Sequence, residues 1–428
     1  MLIRETLATA VMVRHLRRAI RQDEAAVAAE RDRLLCEMVR HAYGNVPFYR
    51  RLWSGGGFDP KTFRGTEDLH RIPIARAPQV KAALAAGELR PRGLDLSQCG
   101  YLESSGSSGV PSRFYRGPSE ERIRRAVGLH IWREHGFGWR HATAQFQILP
   151  GSQHFLQRLG IAPKTWIGSA LPMPDQLELF MNAQPDVVAG TATALRGITR
   201  AIESAGKSPP RPRLVICAGE LADATTRDLV RRVLGTEIVA LYGMTEVGYV
   251  AWQCERRSAM HVNPLSHIVQ IMRDGKQCAD GEIGELVITD LHSRTTPFIR
   301  YANGDLATAN TAPCPCGRAV PPIAAVEGRA KGCITLADGR ILTTRQIVNH
   351  LAPAAAIGSY RIHQQTPKNF RIEAFEQWPQ PQQARFAAQL SQLTGPAVIL
   401  IQTAPPPPAE STGKTRSVIS DVPPAIAA

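Results

Sequence analysis

The middle of the chain alternates between helix-forming stretches and short runs of β-branched residues, which constrains the fold more than any other feature. Between about residues 119 and 240, such runs occur at 186–188, 214–216 and 237–239, with helical spacing between them. Strands that alternate with helices in this way form a sheet whose faces are covered by the helices. The sequence therefore predicts an α/β fold.

The regions on either side of this stretch have different patterns. Residues 1 to about 52 are rich in Ala, Arg, Glu and Leu at helical spacing, whereas residues 262–310 are strand-like. Beyond residue 332 the pattern is mixed, as in a small α+β domain. We therefore predict two domains, a large one at 1–330 and a small one at 331–428.

The composition is that of an ordinary soluble globular protein, with 43% hydrophobic and 21% charged residues among 428. No apolar run approaches the roughly 18 residues of a membrane span. Charged residues from Arg4 to Arg18 interrupt the first stretch, which disfavours a secretory signal. We expect a cytoplasmic protein without a membrane span, whose eight cysteines stay reduced.

The net charge of +14 raises the question of a nucleic-acid partner. The basic residues are dispersed, however, and in the densest stretch, 14–33, acidic residues lie between them, as on a solvated helix face. No nucleic-acid-binding motif accompanies the charge. We predict no nucleic-acid partner and expect polyanionic small molecules such as ATP or coenzyme A instead.

A segment of small residues follows a strand-like stretch near residue 100. It holds four serines and two glycines in six positions: Ser104, Ser105, Gly106, Ser107, Ser108 and Gly109. Backbone N–H groups and hydroxyls in such a Ser/Gly loop can close around an anion, usually phosphate. A plain turn is the alternative, and the segment alone does not decide between the two.

Three further motifs follow the Ser/Gly loop in the chain. They are YGMTE at 242–246, IRYANGDL at 299–306 and GR at 328–329. In this order and spacing, the four segments resemble the adenylate-forming superfamily of acyl- and aryl-CoA synthetases. The resemblance extends over about residues 40–422.

Three other segments are similar to the phenylacetate–CoA ligase branch of that superfamily. They are NVPFYR at 45–50, GEIGEL at 281–286 and CPCGR at 314–318. The resemblance implies a large N-terminal domain, built from α/β subdomains and a β subdomain, and a small mobile α+β C-terminal domain.

The resemblance also implies a role for individual residues. The Ser/Gly loop would wrap the β- and γ-phosphates of ATP, Tyr242 would stack on adenine, and Asp305 and Arg329 would bind the ribose. Thr245 would bind phosphate or the substrate carboxylate, and Glu246 would hold Mg²⁺. The other nucleotide-binding residues would be Gly219, Glu220, Gly243 and Met244. The structural alternative is a core tyrosine, a solvated glutamate and a turn aspartate.

The implied chemistry has two steps. A carboxylate first attacks the α-phosphate of ATP, and pyrophosphate leaves. The acyl group of the resulting adenylate then passes to coenzyme A. The protein accelerates this chemistry mainly by positioning the reactants and neutralising their charge. Lys414 lies in a segment that resembles the family's last motif and would contact the carboxylate and the α-phosphate. With Thr245 and Glu246 it forms the predicted catalytic set. A solvated lysine in a polar tail is the alternative.

The chain departs from the family pattern at two places. Val110 stands where many relatives carry a lysine, although Arg113 could supply charge from a different position. Lys331 stands at the hinge, which is commonly aspartate, and the usual aspartate pair after it is missing. These departures favour an alternative of another class, in which the chain would be a nucleotide-binding scaffold that has lost the chemistry. The sequence also leaves two alternative acceptors open, a carrier-protein phosphopantetheine and an amine.

The predicted acid pocket combines aromatic and small residues, which suits a planar aryl acid. Its candidates are His135, Phe137, Pro150, Gly151, His154, Gly190 and Thr191. An aromatic carboxylate is the preferred substrate and a short or medium acyl chain the second choice. Plain core packing is the alternative for the aromatic residues. Oligomeric state, pathway and the identity of the acid are not predicted.

Four side chains of metal-ligand type occur in two segments of the sequence, at 254–261 and 314–316. They are Cys254, His261, Cys314 and Cys316. Three thiolates and one imidazole complete a tetrahedral Zn²⁺ site without an open position, which makes such a site structural. Unliganded loop cysteines and a disulfide are the two alternatives.

Overall fold

The computed structural model describes most of the chain in two compact units. The described residues are 2–55, 58–104, 112–147, 155–318, 322–355, 359–405 and 417–423. The first unit is built from residues 1–135 and 242–325, and the second from 136–241 and 326–427.

Helices and strands alternate along much of the described chain. The α-helices are α1 (Leu2–Ala19), α2 (Glu24–Asn45), α3 (Pro47–Ser54), α4 (Ala77–Ala85), α5 (Pro118–Glu134), α6 (Phe155–Arg158), α7 (Met173–Ala183), α8 (Ala192–Ser204), α9 (Ala224–Leu234), α10 (Thr344–Leu351) and α11 (Gln380–Thr394). The strands are β1 (Ala75–Arg76), β2 (Gly100–Ser104), β3 (Ser112–Arg116), β4 (Thr143–Gln147), β5 (Lys164–Gly168), β6 (Val187–Gly190), β7 (Leu214–Ala218), β8 (Ile238–Met244), β9 (Gly248–Gln253), β10 (Met260–Val262), β11 (His267–Arg273), β12 (Lys276–Gln277), β13 (Ile283–Asp290), β14 (Tyr301–Thr308), β15 (Pro322–Ile323), β16 (Ala325–Arg329), β17 (Ile334–Thr335), β18 (Ile341–Leu342), β19 (Tyr360–Thr366), β20 (Asn369–Ala374), β21 (Val398–Thr403) and β22 (Val418–Ser420).

In the second unit, parallel strands form a sheet in the order β5-β4-β6-β7-β8. Its strands and helices α7, α8 and α9 share one apolar core, in which Phe180 and Ile198 are fully buried. Two helices begin at capping side chains, because Thr191 accepts a hydrogen bond from the Ala194 N–H and Asp223 one from the Thr226 N–H. The alternation in the sequence therefore predicted this α/β architecture correctly.

The C-terminal part of the second unit has its own sheet, in the order β21-β20-β19-β22. Tyr360, Trp378 and Phe386 pack in its core with ring centroids 5.0–6.2 Å apart. This part is α+β, as predicted. The predicted boundary between residues 330 and 331 stays a prediction.

The first unit contains a mainly antiparallel sheet in the order β1-β14-β13-β11-β12. Strand β1 joins it in parallel with β14, and the remaining pairs are antiparallel. A separate hairpin of β2 and β3 pairs Gly100 with Arg116 and Ser104 with Ser112. The strand-like pattern over 262–310 corresponds to β11–β14.

Helix α1 packs on α5, and this packing corrects the prediction of a purely solvated helix face at 14–33. The side chain of Glu134 is fully buried and accepts hydrogen bonds from Arg17 Nε at 2.7 Å and from Arg21 Nη2 at 2.7 Å. These contacts hold the pKa of Glu134 at about 2, against the opposing effect of burial. Two of the basic residues of this stretch therefore hold α1 in place. No helix of the described chain is both long and apolar enough to cross a membrane.

Candidate functional site

The hydroxyl group of Tyr242 and the carboxylate of Asp305 meet in the first unit. Tyr242 lies near the end of β8 and Asp305 lies in β14. The Tyr242 hydroxyl donates to Asp305 Oδ2 at 2.6 Å, and both side chains are buried. The short distance is that of a charge-assisted hydrogen bond. Two residues predicted to bind one nucleotide are therefore in direct contact.

Asn303 bonds the same carboxylate oxygen as Tyr242. Its Nδ2 donates to Asp305 Oδ2 at 2.7 Å and approaches the Tyr242 hydroxyl at 3.4 Å and Met244 Sδ at 3.6 Å. Its Oδ1 accepts from the Asp305 N–H at 2.9 Å. The Asp305 carboxylate is therefore held in one orientation by two side-chain donors.

Thr245 and Glu246 form the turn that follows β8. The hydroxyl of Tyr301 lies 3.4 Å from Glu246 Oε1. Arg116, at the end of β3, donates from Nη2 to the backbone oxygen of Thr245 at 2.5 Å and to that of Glu246 at 2.8 Å. The side chain and the backbone of this turn are thus held by different residues.

Gly243 has a structural reason to be glycine. A Cβ atom there would lie 2.5 Å from the carbonyl oxygen of Gly248 and 3.0 Å from Tyr249 Cα. The close approach of β8 and β9 therefore accounts for this position, whether or not a nucleotide binds beside it.

Two further predicted pairs lie together in the second unit. Glu220 Oε2 accepts a hydrogen bond from the Thr193 N–H at 2.8 Å, in the first turn of α8. Gly190 and Thr191 immediately precede that helix, and Gly219 adopts a positive φ of 83° next to Glu220. The predicted adenine segment and part of the predicted acid pocket are therefore adjacent.

The other described pocket candidates are His135 and Phe137, which belong to different units. His135 follows the last residue of α5 in the first unit, and burial, the largest effect, lowers its pKa. Phe137 belongs to the second unit, where its ring contacts that of His141 at 6.0 Å.

The predicted hinge lies in the second unit. Arg329 ends β16, and Lys331 is exposed in the short 3-10 helix Ala330–Gly332. Gly332 is buried, and a Cβ there would lie 2.7 Å from Thr344 Oγ1, so packing alone demands glycine at this position. Its carbonyl accepts a hydrogen bond from the same hydroxyl at 2.8 Å.

Several predicted site residues lie outside the described residues. They are Ser105, Gly106, Ser107, Ser108, Gly109, Pro150, Gly151, His154 and Lys414. Ser104 ends β2, but its side chain also lies outside them. The described structure shows only that the hairpin of β2 and β3 brackets the Ser/Gly loop.

The four predicted metal ligands form a cluster in the first unit. The ligand atoms of Cys254, His261, Cys314 and Cys316 all lie within 4.8 Å of one another. Cys254 Sγ lies 3.7 Å from Cys314 Sγ, and Cys316 Sγ lies 3.3 Å from His261 Nε2. Bonds of about 2.3 Å to a tetrahedral zinc ion would separate two sulfur atoms by about 3.8 Å. All eight cysteines, which lie within the described residues, are free thiols.

Arg318 links this metal-ligand cluster to α5. Its guanidinium bonds Glu255 Oε2 at 2.9 Å and Glu134 Oε2 at 3.2 Å. Burial raises the pKa of Cys316, but hydrogen bonds from the backbone and side chain of Arg318 outweigh burial and lower it. A lowered thiol pKa favours the thiolate that a metal ion requires.

Asn303 and Arg116 were not assigned a role from the sequence. Asn303 precedes Asp305 by two residues in a strand, so strand periodicity offers a signal for it. Arg116 contacts a turn 129 and 130 residues further along the chain. No local pattern reveals that contact.

Comparison with known proteins places this geometry among related folds. A family model described as AMP-binding enzyme matches residues 157–292. Phenylacetate-coenzyme A ligase of Thermus thermophilus is 24% identical over 347 residues, which are 77% of this chain and 76% of that protein. The Escherichia coli protein of the same name is 26% identical, over 63% of this chain and 64% of that one. This chain spans 63–76% of the length of the four curated relatives that it matches.

A solved structure with the same fold is 2-hydroxyisobutyryl-CoA ligase in its postadenylation state. It has a TM-score of 0.78 at 18% identity and covers 94% of this chain and 91% of its own. At this identity the likeness shows the fold alone. It agrees with the α/β architecture predicted from the sequence.

Proposed function

Because the chain belongs to the adenylate-forming superfamily, in its phenylacetate–CoA ligase-like branch, we propose that it is an AMP-forming acid–CoA ligase. A carboxylate oxygen bonds to the α-phosphorus of ATP as the bond to pyrophosphate breaks, which gives an acyl-adenylate. The sulfur of coenzyme A then bonds to the acyl carbon, its proton is lost, and AMP leaves.

The observation that supports this proposal most directly is the Tyr242–Asn303–Asp305 arrangement beside the Thr245–Glu246 turn. A buried carboxylate fixed by two donors has an oriented acceptor for the hydroxyl groups of a ribose. Preorganised groups of this kind lose little conformational entropy when a ligand binds. We assign Asp305 to the ribose, with Arg329 as a second contact.

We assign the phosphates to the Ser/Gly loop, whose ends are β2 and β3. Glu246 fits a Mg²⁺ ligand because it presents carboxylate oxygens, the donors that this hard cation prefers, and Tyr301 holds one of them. When bound, the ion would neutralise phosphate charge. Thr245 and Lys414 would contact the reacting carboxylate and the α-phosphate.

The substrate that we propose is an aromatic carboxylate. The curated relatives are named phenylacetate-coenzyme A ligases, and an anthranilate CoA ligase has the same fold with a TM-score of 0.58 at 14% identity. The pocket would include the predicted residues His135, Phe137, Gly190 and Thr191. A cytoplasmic location fits a reaction that consumes ATP and coenzyme A.

Pyrophosphate release across a panel of carboxylic acids, with and without coenzyme A, tests the proposal. We expect one or more aryl acids to give release, and coenzyme A to yield a thioester and AMP. Lys414→Ala should lower the rate by a hundredfold or more, whereas Lys368→Ala, which removes an exposed lysine of the second unit, should not change it.

Three outcomes separate the alternatives. If coenzyme A does not change the release of pyrophosphate and no thioester forms, a carrier-protein or amine acceptor is favoured. If the protein binds nucleotide but releases no pyrophosphate with any acid, a scaffold that has lost the chemistry is favoured. Equal activities of the Lys414→Ala variant and the wild type would refute the role of that lysine.

We also propose that Cys254, His261, Cys314 and Cys316 hold a structural Zn²⁺ ion. The sulfur spacing of 3.7 Å fits such an ion, and the four ligands leave no open position for water. Elemental analysis should find one zinc per chain. Cys316→Ser should lose it, whereas Cys99→Ser, a change at an isolated cysteine, should retain it. Wild-type protein that has intact thiols and no zinc would refute the site.

A further inference from the structure

The hairpin that brackets the Ser/Gly loop also carries a buried arginine. In this hairpin Ser104 pairs with Ser112 at the end next to the loop, and Gly100 pairs with Arg116 at the opposite end. Arg116 is only 5% exposed. A charged side chain is rarely buried to this extent unless it has specific partners.

The partners of Arg116 are backbone oxygens of the turn that follows β8. Its Nη2 donates to both Thr245 and Glu246. Two consecutive carbonyl groups that share one cationic donor fix the orientation of the peptide between them. Hydrogen bonds from a charged donor are stronger than those between neutral groups.

The surroundings keep Arg116 charged. Burial and the like charge of Arg124 lower its pKa to about 10, whereas the carboxylates of Glu121, Asp290 and Glu120 oppose this effect. The guanidinium is therefore protonated at neutral pH. It also lines a cavity of about 20 Å³, which has room for one water molecule. Its Nη1 has no hydrogen-bond partner among the described residues, and its Nη2 bonds the turn.

We propose that Arg116 is a positioning residue that fixes the turn carrying the Glu246 carboxylate, the proposed Mg²⁺ ligand. The proposal rests on the function proposed above. Arg116 ends the strand that leaves the Ser/Gly loop, and it holds the backbone from which the Glu246 side chain extends. These hydrogen bonds fix the backbone position of the carboxylate that would hold the cation of MgATP.

A purely structural role is the competing explanation, and matched variants separate the two. Arg116→Met removes the donors, and Arg116→Lys retains the charge but not the planar guanidinium group. Arg196→Lys is the control, because Arg196 is 6% exposed and bonds Thr226 in the second unit. Thermal unfolding should show the three variants folded.

The first measurement is hydrogen–deuterium exchange of the ligand-free proteins. In Arg116→Met the segment 244–249 should exchange at least tenfold faster than in the wild type, and in Arg116→Lys by an intermediate factor. Arg196→Lys should leave that segment unchanged. Equal exchange in Arg116→Met and the wild type would overturn the proposal.

The second measurement is the MgATP dependence of pyrophosphate release. The KM for MgATP should rise about tenfold or more in Arg116→Met, while the KM for the acid stays within about twofold. Equal rises in both constants, or the same rise in Arg196→Lys, would overturn the proposal. If the wild type releases no pyrophosphate, the proposed function fails, and the exchange experiment still decides the positioning role.

Discussion

Replacing Tyr242 with phenylalanine removes one oxygen atom from the candidate nucleotide site. The lost hydroxyl donates to Asp305 Oδ2 at 2.6 Å, and the residues are 9% and 7% exposed, respectively. The carboxylate keeps its second donor, Asn303 Nδ2, at 2.7 Å. The change therefore loosens Asp305 without leaving it unpaired.

The size of the effect follows from this geometry. A hydrogen bond to a charged acceptor contributes about 1.5–3 kcal/mol. Losing about 2 kcal/mol of binding free energy would weaken the affinity by a factor of about 30. Asn303 recovers part of this free energy because it still orients the carboxylate. We expect Tyr242→Phe to weaken AMP binding about tenfold, and Tyr242→Phe with Asn303→Ala to weaken it by more than either change alone.

Calorimetric titration with AMP measures this effect directly. Tyr49→Phe is a matched control, since the buried Tyr49 hydroxyl donates to Pro297 O at 3.0 Å and accepts from the Ile299 N–H at 2.9 Å. The control should destabilise the fold by about 1 kcal/mol or more but leave AMP affinity unchanged. An unchanged AMP affinity in folded Tyr242→Phe would refute the assignment of Asp305 to the ribose.

Two further predictions concern folding. Gly243→Ala should cost at least about 1–3 kcal/mol, because its methyl group would meet the Gly248 carbonyl, whereas Gly44→Ala in α2 has open space and should be neutral or stabilising; equal unfolding midpoints would contradict this. Burial lowers the pKa of His130 to about 4, below the unfolded value of about 6.5, so the unfolded chain binds more protons between these values. Stability should therefore fall by up to about 3 kcal/mol as the pH drops from about 6.5 to 4, and urea unfolding of His130→Gln should show a shallower dependence.

The sequence predicted the parts of the fold that depend on local periodicity. The β-branched runs at 186–188, 214–216 and 237–239 correspond to strands β6, β7 and β8, because buried parallel strands are nearly all apolar. The secondary structure of the motif at 242–246 was harder to predict, since these five residues could also occur in a helix. In the structure it covers the end of a strand and the turn after it.

The sequence predicted which segments contribute residues to the candidate site. It did not predict the contacts between those residues. Asp305 and Tyr242 were each assigned to the nucleotide, yet their hydrogen bond depends on a contact between residues 63 positions apart. The link between Arg116 and the Thr245–Glu246 turn is longer still. Such contacts are set by strand register and packing, which local sequence does not encode.

Position 110 is valine, so an arginine of β3 would have to replace the charge of the lysine that many relatives carry there. In the structure the Arg113 guanidinium is engaged elsewhere, since it bonds Glu103 at 2.7 Å and lies 4.9 Å from the centre of the Tyr101 ring. Arg116 is also engaged elsewhere, since it is buried and bonds the backbone. In the proposed site, the positive charge for the phosphates would then come mainly from a cation held by Glu246 and from Lys414.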